Sequence, residues 1–333
     1  MSELVINKAV LEILDYTSGN EVYSEQTMNL EDAVNGSYVK KYIKKVTEDI
    51  GLRKGELSKD SSFYNLLEAY KKTDADFRVC CKELAEYISD CLKDVTDQPY
   101  DLLMVDYRYD DVPYLAVLFI PNQKAYTHIT EEENGRIVNH IMMGSGFLSS
   151  PNKKLHTFFI VNLLHDGVQY VDEENWKDDI HLLQDRILMC TSQKSTKEVL
   201  QETNDIVNEV AEKCDENPAL LLSKYKNYIQ NASEESDTIS KEDLAVNVFN
   251  ESEEMQDTFL SASLEHELPE EMDISARPAI RKMKNQRIRT DSGIEISFPT
   301  EYSGNPDVIE FINNPDGTIS IEIKHIEKII NRG

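Results

Sequence analysis

Apolar positions recur along this chain in two rhythms, one of three to four residues and one of two, and the rhythm changes more than once. Ile6, Ala9, Val10, Ile13 and Leu14 fall at helical spacing, which predicts a first helix over residues 6–14. A short strand is expected around residues 21–28. After Ser37, Val39, Tyr42, Ile43, Val46 and Ile50 share one side of a helix whose other side carries Lys40, Lys41, Lys44 and Lys45. The helical pattern continues over residues 62–72 and 74–93.

The rhythm then shortens. Residues 100–109 and 112–121 are rich in β-branched and aromatic side chains, and Asp110-Asp111 between them suits a tight turn. Further strands are expected at residues 125–130, 155–163 and 168–171, the last two joined through His165-Asp166-Gly167. Gly144-Ser145-Gly146 lacks both a nucleophile elbow and a phosphate-loop lysine, and reads as a flexible loop. From Ser192 helical spacing returns over residues 196–213 and 218–230, followed by a polar linker at residues 231–238. Ser240 with Asp243 three residues on fits a capping box opening a helix that runs to about Phe249. Strands at residues 293–298, 308–312 and 318–323 close the chain, with a hairpin turn at residues 313–317. No internal repeat is evident. The reading is an α+β fold: an N-terminal domain of helices plus antiparallel sheet over residues 1–190, and a C-terminal helical and β-hairpin domain over residues 191–333.

Composition narrows the class. The chain has 333 residues and is 40% hydrophobic, enough for a sizeable core. No run approaches the roughly 20 apolar residues that cross a bilayer, and no basic leader precedes an apolar stretch, so a cytoplasmic protein is expected. The five cysteines (Cys80, Cys81, Cys91, Cys190 and Cys214) show no CxxC spacing and read as reduced thiols. A net charge of −27 argues against uniform attraction to nucleic acid and against adhesion to an anionic membrane.

The local distribution of charge says something different. Residues 232–276 hold fourteen acidic side chains and one basic one, Lys241. The next thirteen residues hold six cations and no anion: Arg277, Arg281, Lys282, Lys284, Arg287 and Arg289. Screening confines each patch to a range of about 8–10 Å, so this boundary within the charged segment 232–289 is a candidate DNA-binding feature. Six engaged phosphates would give a log–log salt slope of roughly −5. Ile280, Met283 and Ile288 interrupt the cations, so part of the segment is expected to dock on a core while the charges face outward. The competing reading is an internal match, with the basic run folded back on the acidic stretch. A regulated form of it has the acidic segment shielding the basic one, and then removal of residues 251–273 strengthens DNA binding.

Other chemistry is sparse. The lysine face of residues 40–45 offers phosphate contacts or is simply solvated beside Glu48 and Asp49. Arg108 in Asp106-Tyr107-Arg108-Tyr109 is a further cation on a strand, expected to be ion-paired. Asp307 with Glu322-Ile323-Lys324 follows the spacing logic of Mg²⁺-dependent PD-(D/E)xK nucleases, in which two carboxylates hold the metal and a lysine stands beside the attacked phosphate. The same residues also fit a plain edge hairpin. His128, His140, His156, His165 and His181 are scattered without a zinc-binding spacing. No cofactor, metal site or catalytic set is expected from these patterns.

Several of these segments together resemble a known family. Ile6-Asn-Lys-Ala-Val-Leu-Glu-Ile-Leu14, Asp101-Leu-Leu-Met-Val-Asp-Tyr-Arg-Tyr109 with Tyr114-Leu-Ala-Val-Leu118, and Ser292-Gly-Ile-Glu-Ile-Ser-Phe298 followed by Gly317-Thr-Ile-Ser-Ile321 are similar to bacterial nucleoid-associated proteins called NdpA, of the YejK type. The likeness spans nearly the whole chain in packing patterns rather than catalytic signatures. It implies a non-enzymatic protein of the nucleoid that binds DNA or scaffolds the chromosome. It also implies partnership with a type II topoisomerase or another DNA-acting protein, and a homo-oligomer is expected. This sequence is more acidic than the better-known members and lacks their Pro-rich segment after the last strand. An acidic adaptor or DNA mimic binding a basic protein is the alternative that the charge supports.

Overall fold

A computed structural model of the chain describes residues 3–15, 20–72, 76–275, 280, 283–302, 305–314, 318–328 and 330, with backbone alone at Asn20, Glu133 and Asn313. The chain forms two compact units, Met1–Gln193 and Lys194–Gly333.

The first unit is built on a seven-stranded sheet. Its strands are β1 (Leu4–Asp15), β2 (Asn20–Val22), β3 (Arg53–Glu56), β4 (Tyr100–Tyr109), β5 (Val112–Pro121), β8 (Thr157–Asn162) and β9 (Gly167–Asp172), in spatial order β2-β1-β4-β5-β8-β9-β3 with every neighbour antiparallel. The helix α1 (Ala33–Thr47) lays Val39, Tyr42, Ile43 and Val46 on one face, against Ala9, Leu103, Val105, Leu118 and Phe158. The helices α2 (Ser62–Tyr70) and α3 (Phe77–Leu92), with a π-helical turn at Leu182–Leu188, cover the other face through Val10, Leu102, Met104, Val117 and Phe159. Because both faces are buried, alternate residues of β4 serve different cores and the strand reads as one apolar run.

The same two-sided burial corrects the expected first helix. Residues 6–14 lie within β1, paired with β4 throughout and carrying a bulge between Ile6 and Lys8. Ala9 faces the α1 layer while Val10 and Leu14 face the α3 layer. Apolar residues on both faces of a bulged strand reproduce helical spacing without a helix.

Among the described residues, two more strands, β6 (Gln123–Glu133) and β7 (Arg136–Phe147), pair only with each other as a long hairpin arm. Asn134 and Gly135, with φ of 51° and 74°, turn between them in the mirror-image geometry that matches strand twist. The expected flexible loop at Gly144-Ser145-Gly146 therefore lies within β7.

The second unit begins with α4 (Thr196–Lys213), whose Ser195–Glu198 capping box is complete, and α5 (Pro218–Glu235), capped by Asn217. Helix α5 continues through most of the expected polar linker. Strands β10 (Thr238–Ser240) and β11 (Glu271–Asp273) bracket α6 (Lys241–Val248) and α7 (Glu253–Glu265). Hairpins β12 (Asn285–Arg289) with β13 (Glu295–Pro299), and β14 (Ile309–Asn313) with β15 (Ile319–Ile323), complete it.

The acidic stretch is thus folded structure. Met255, Phe259, Ala262 and Met272 are core residues, and the lone cation Lys241 is buried with its Nζ donating to Glu270 Oε1 at 2.6 Å. Glu242, Asp243, Glu253 and Glu254 occupy the first turns of α6 and α7, where carboxylates oppose the helix dipole. Deleting residues 251–273 would therefore remove part of the unit's core rather than an appended shield.

Candidate nucleic-acid interface

The basic run is anchored as a strand. Ile280 and Met283 are buried, and the Thr300 hydroxyl donates to the Met283 carbonyl while its amide donates to the Lys284 carbonyl at 2.9 Å. From there β12 alternates: Asn285, Arg287 and Arg289 face outward, Gln286 is buried and Ile288 half-buried. Gln286 fills its inward position by accepting from Lys226 Nζ on α5 at 2.6 Å, and Asn227 of the same helix donates to the Thr300 carbonyl at 3.0 Å. Burial pushes the Lys226 ammonium below its ordinary range. On β13, Phe298 is buried and packs on Phe311 of β14, their ring centroids 6.3 Å apart.

The outer face of β12 consequently holds Arg287 and Arg289 as exposed cations roughly 6.8 Å apart along the strand, and Lys284 is exposed just before it. Ser297 stands opposite Arg287, and Glu295 opposite Arg289. Arg289 also borders an open cleft of about 470 Å³ whose walls include Ala219 at the start of α5 and the apolar Ile288, Phe311 and Ile319. Two guanidinium forks on a braced strand can engage phosphate oxygens bidentately. Their backbone is paired with β13 and the Gln286 side chain between them is held by α5, so little ordering entropy is lost on binding. Ile280 and Met283 dock inward as expected, Ile288 is half-buried, and the described cations Lys284, Arg287 and Arg289 are exposed. Arg277, Arg281 and Lys282 lie outside the described residues.

The remaining candidates fall elsewhere. Lys40, Lys41 and Lys44 are exposed along α1 in the first unit. Lys45 is not part of that face: its Nζ donates to the carbonyls of Pro151 and Lys153 and ties the following loop to the helix. Arg108 is exposed near the end of β4.

A family comparison settles what kind of protein carries this surface. The sequence pattern of nucleoid-associated protein YejK matches residues 10–331. The chain belongs to that family. No curated protein is significantly similar to it in sequence. Within a YejK-family chain, the hairpin β14–β15 is the place to look for the nuclease-like set. Glu310 and Glu322 are cross-strand partners there, and Lys324 Nζ is held by Glu310 and lies 3.8 Å from Glu322 Oε2. The hydrogen bond that Lys324 donates to Glu310 raises its ammonium above the ordinary range. Asp307 is exposed, and its amide donates to Asn305 Oδ1. The lysine is thus engaged by carboxylates rather than standing open beside a phosphate site. Among the described residues, no three His, Cys, Asp or Glu side chains are gathered as a metal site requires, and no helix is long and apolar enough to cross a membrane.

Three features of these surfaces escaped the sequence reading. Strand β12 was hidden because glutamine occupies its buried position. Glu310 was not singled out beside Glu322. Strand β7 was signalled by the Asn134-Gly135 pair, a strong hairpin cue between apolar-rich segments.

Proposed function

We propose that this YejK-family chain is a non-enzymatic DNA-binding protein of the nucleoid that contacts the phosphate backbone through Arg287 and Arg289 on the outer face of β12 and Lys284 just before it. The observation that carries the reading is the alternation of this strand, which buries Gln286 against α5 and leaves both arginines to solvent. A chain of net charge −27 binds a polyanion only where its own field is locally reversed, and the basic run is such a place. Family membership supports association with the chromosome. In this reading Arg277, Arg281 and Lys282 of the same basic run also contact phosphate, while Lys40, Lys41 and Lys44 are at most an auxiliary contact. The protein acts in the cytoplasm on the nucleoid, as a homo-oligomeric scaffold, and a type II topoisomerase or another DNA enzyme is the protein partner such a scaffold would recruit.

Gel-shift titration of a duplex across a salt series tests this. Charge reversal at Arg281, Lys282, Arg287 and Arg289 together abolishes the shift if the reading holds. An undiminished shift places the DNA contact elsewhere or assigns the chain to protein binding alone.

A further inference from the structure

The hairpin arm β6–β7 stands outside the seven-stranded sheet and is solvated on both sides for most of its length. Register decides what shares a face: Tyr126 opposes Met143, His128 opposes Ile141, Thr130 opposes Asn139 and Glu132 opposes Ile137. One face of the ribbon therefore carries Tyr126, Met143 and Ile141 together and Ile137 beyond Asn139, with His128, Thr130 and Glu132 on the same face. Tyr126, Ile137 and Ile141 are 78%, 77% and 82% exposed. A two-stranded ribbon is marginal by itself in water and needs an apolar face covered to be stable. Isolated exposed apolar residues are ordinary, whereas several large ones gathered on one face of an arm mark a contact surface.

The charges along the arm identify what covers it. The tip is acidic on balance: Glu131 and Glu132 are exposed there together with one cation, Arg136. The root is basic: Lys124 is exposed, Lys153 Nζ donates to Gln123 Oε1 at 2.8 Å, and α1 is fastened to the same loop by the Tyr38 and Tyr42 hydroxyls donating to the Ser149 carbonyl at 2.9 and 3.1 Å. That fastening brings the helix bearing exposed Lys41 and Lys44 to the root of the arm. A ribbon acidic at one end and basic at the other is complementary to a second copy of itself laid antiparallel, which is the relation a two-fold axis imposes. Insertion into a DNA groove fits poorly, since groove-reading arms lead with Arg or Lys, whereas here Arg136 is outnumbered by Glu131 and Glu132. The area is also adequate. Four large apolar side chains and their neighbours offer on the order of 600–800 Å² per arm, so two arms bury about 1,200–1,600 Å² in total, the range of specific interfaces.

We propose that this chain self-associates through its β6–β7 arms. They pack antiparallel about a two-fold axis near Asn139 and Ile141, with Tyr126, Ile137, Ile141 and Met143 as the buried apolar residues and each acidic tip set against the other's basic root.

Sedimentation equilibrium of the full chain over the micromolar range tests the proposal. The wild type is expected to be dimeric, and Ile141→Glu to weaken the dimer on the order of tenfold or more, as loss of a central interface anchor does. Because Ile141 is solvent-facing in the single chain, the variant should keep the wild-type circular dichroism and melting temperature in dilute solution. Glu131→Lys with Glu132→Lys should weaken the dimer as well, and adding Lys124→Glu and Lys153→Glu to the same chain should restore it. A wild type that stays monomeric overturns the proposal, including the case where hydrogen exchange shows the arm protected by its own chain. An Ile141→Glu dimer as tight as wild type overturns it too. So does a variant that stays dimeric but loses DNA binding, which would assign the arm to DNA.

Discussion

The hairpins β12–β13 and β6–β7 share an antiparallel backbone and differ in almost everything their side chains do. The first is short and braced: Gln286 and Phe298 point into the unit, and Arg287 and Arg289 point out. The second is about twice as long, lies outside the main sheet, and exposes Tyr126, Ile137 and Ile141. In one the inward positions are filled and the outward ones are cationic; in the other the apolar side chains are the outward ones. The difference teaches that the outward positions of a ribbon select its partner, phosphate for the guanidinium pair and protein for the apolar side chains.

The largest effect that would break this contrast is on stability. Phe298→Ala should cost about 3 kcal/mol in the second unit, as expected for emptying a buried aromatic site. Ile141→Ala should change the dilute single chain by no more than about 0.5 kcal/mol. Urea denaturation followed by circular dichroism measures both, and similar costs would mean the arm is packed as tightly as β12–β13. Next in size is affinity. Arg287→Glu with Arg289→Glu should weaken binding to a duplex at least tenfold, about 1.4 kcal/mol, while Glu131→Lys with Glu132→Lys leaves it undiminished in a gel shift.

A smaller effect sharpens the account of how the arm is rooted. Asp101 of β4 is buried and accepts from Asn122 Nδ2 just before β6. Burial pushes its carboxyl up to about 6, Asp15 adds to the rise and Asn122 opposes it. The folded value lies above the unfolded one near 3.9, so the stability linked to Asp101 is fully present below pH ~3.9 and is lost as pH rises through about 6. Asp101→Asn should therefore stabilise the first unit by about 1–2 kcal/mol at pH 8 relative to wild type, with the gain shrinking toward pH 4. A gain that is equal at both pH values would contradict the assignment. Smaller still, Lys45→Met should cost about 1 kcal/mol through its lost carbonyl contacts, and Lys44→Met close to nothing, in paired thermal melts.

How much of this was legible in the sequence depended on how burial and pattern coincided. Strands β4 and β5 stand where the apolar runs place them, because a sheet covered on both faces keeps every position apolar and Asp110-Asp111 marks the turn. Helix α4 likewise starts where its pattern begins, behind Ser195. Strand β1 misled for the same two-faced reason, since Ala9 and Val10 serve opposite cores. Helix α7 was hidden by small and polar residues on its buried side, among them Ala262 and Ser263. The candidate interface was legible as charge but not as structure. The cations and their apolar anchors could be read directly, whereas Gln286 in an inward position concealed the strand that orients them.

The most direct test of the phosphate contact is the salt dependence of duplex affinity by fluorescence anisotropy, for wild type and for Arg287→Gln with Arg289→Gln. If these side chains each neutralise a phosphate, the log–log slope becomes shallower by about 2 and affinity falls at every salt concentration. An unchanged slope with unchanged affinity would remove β12 from the DNA interface.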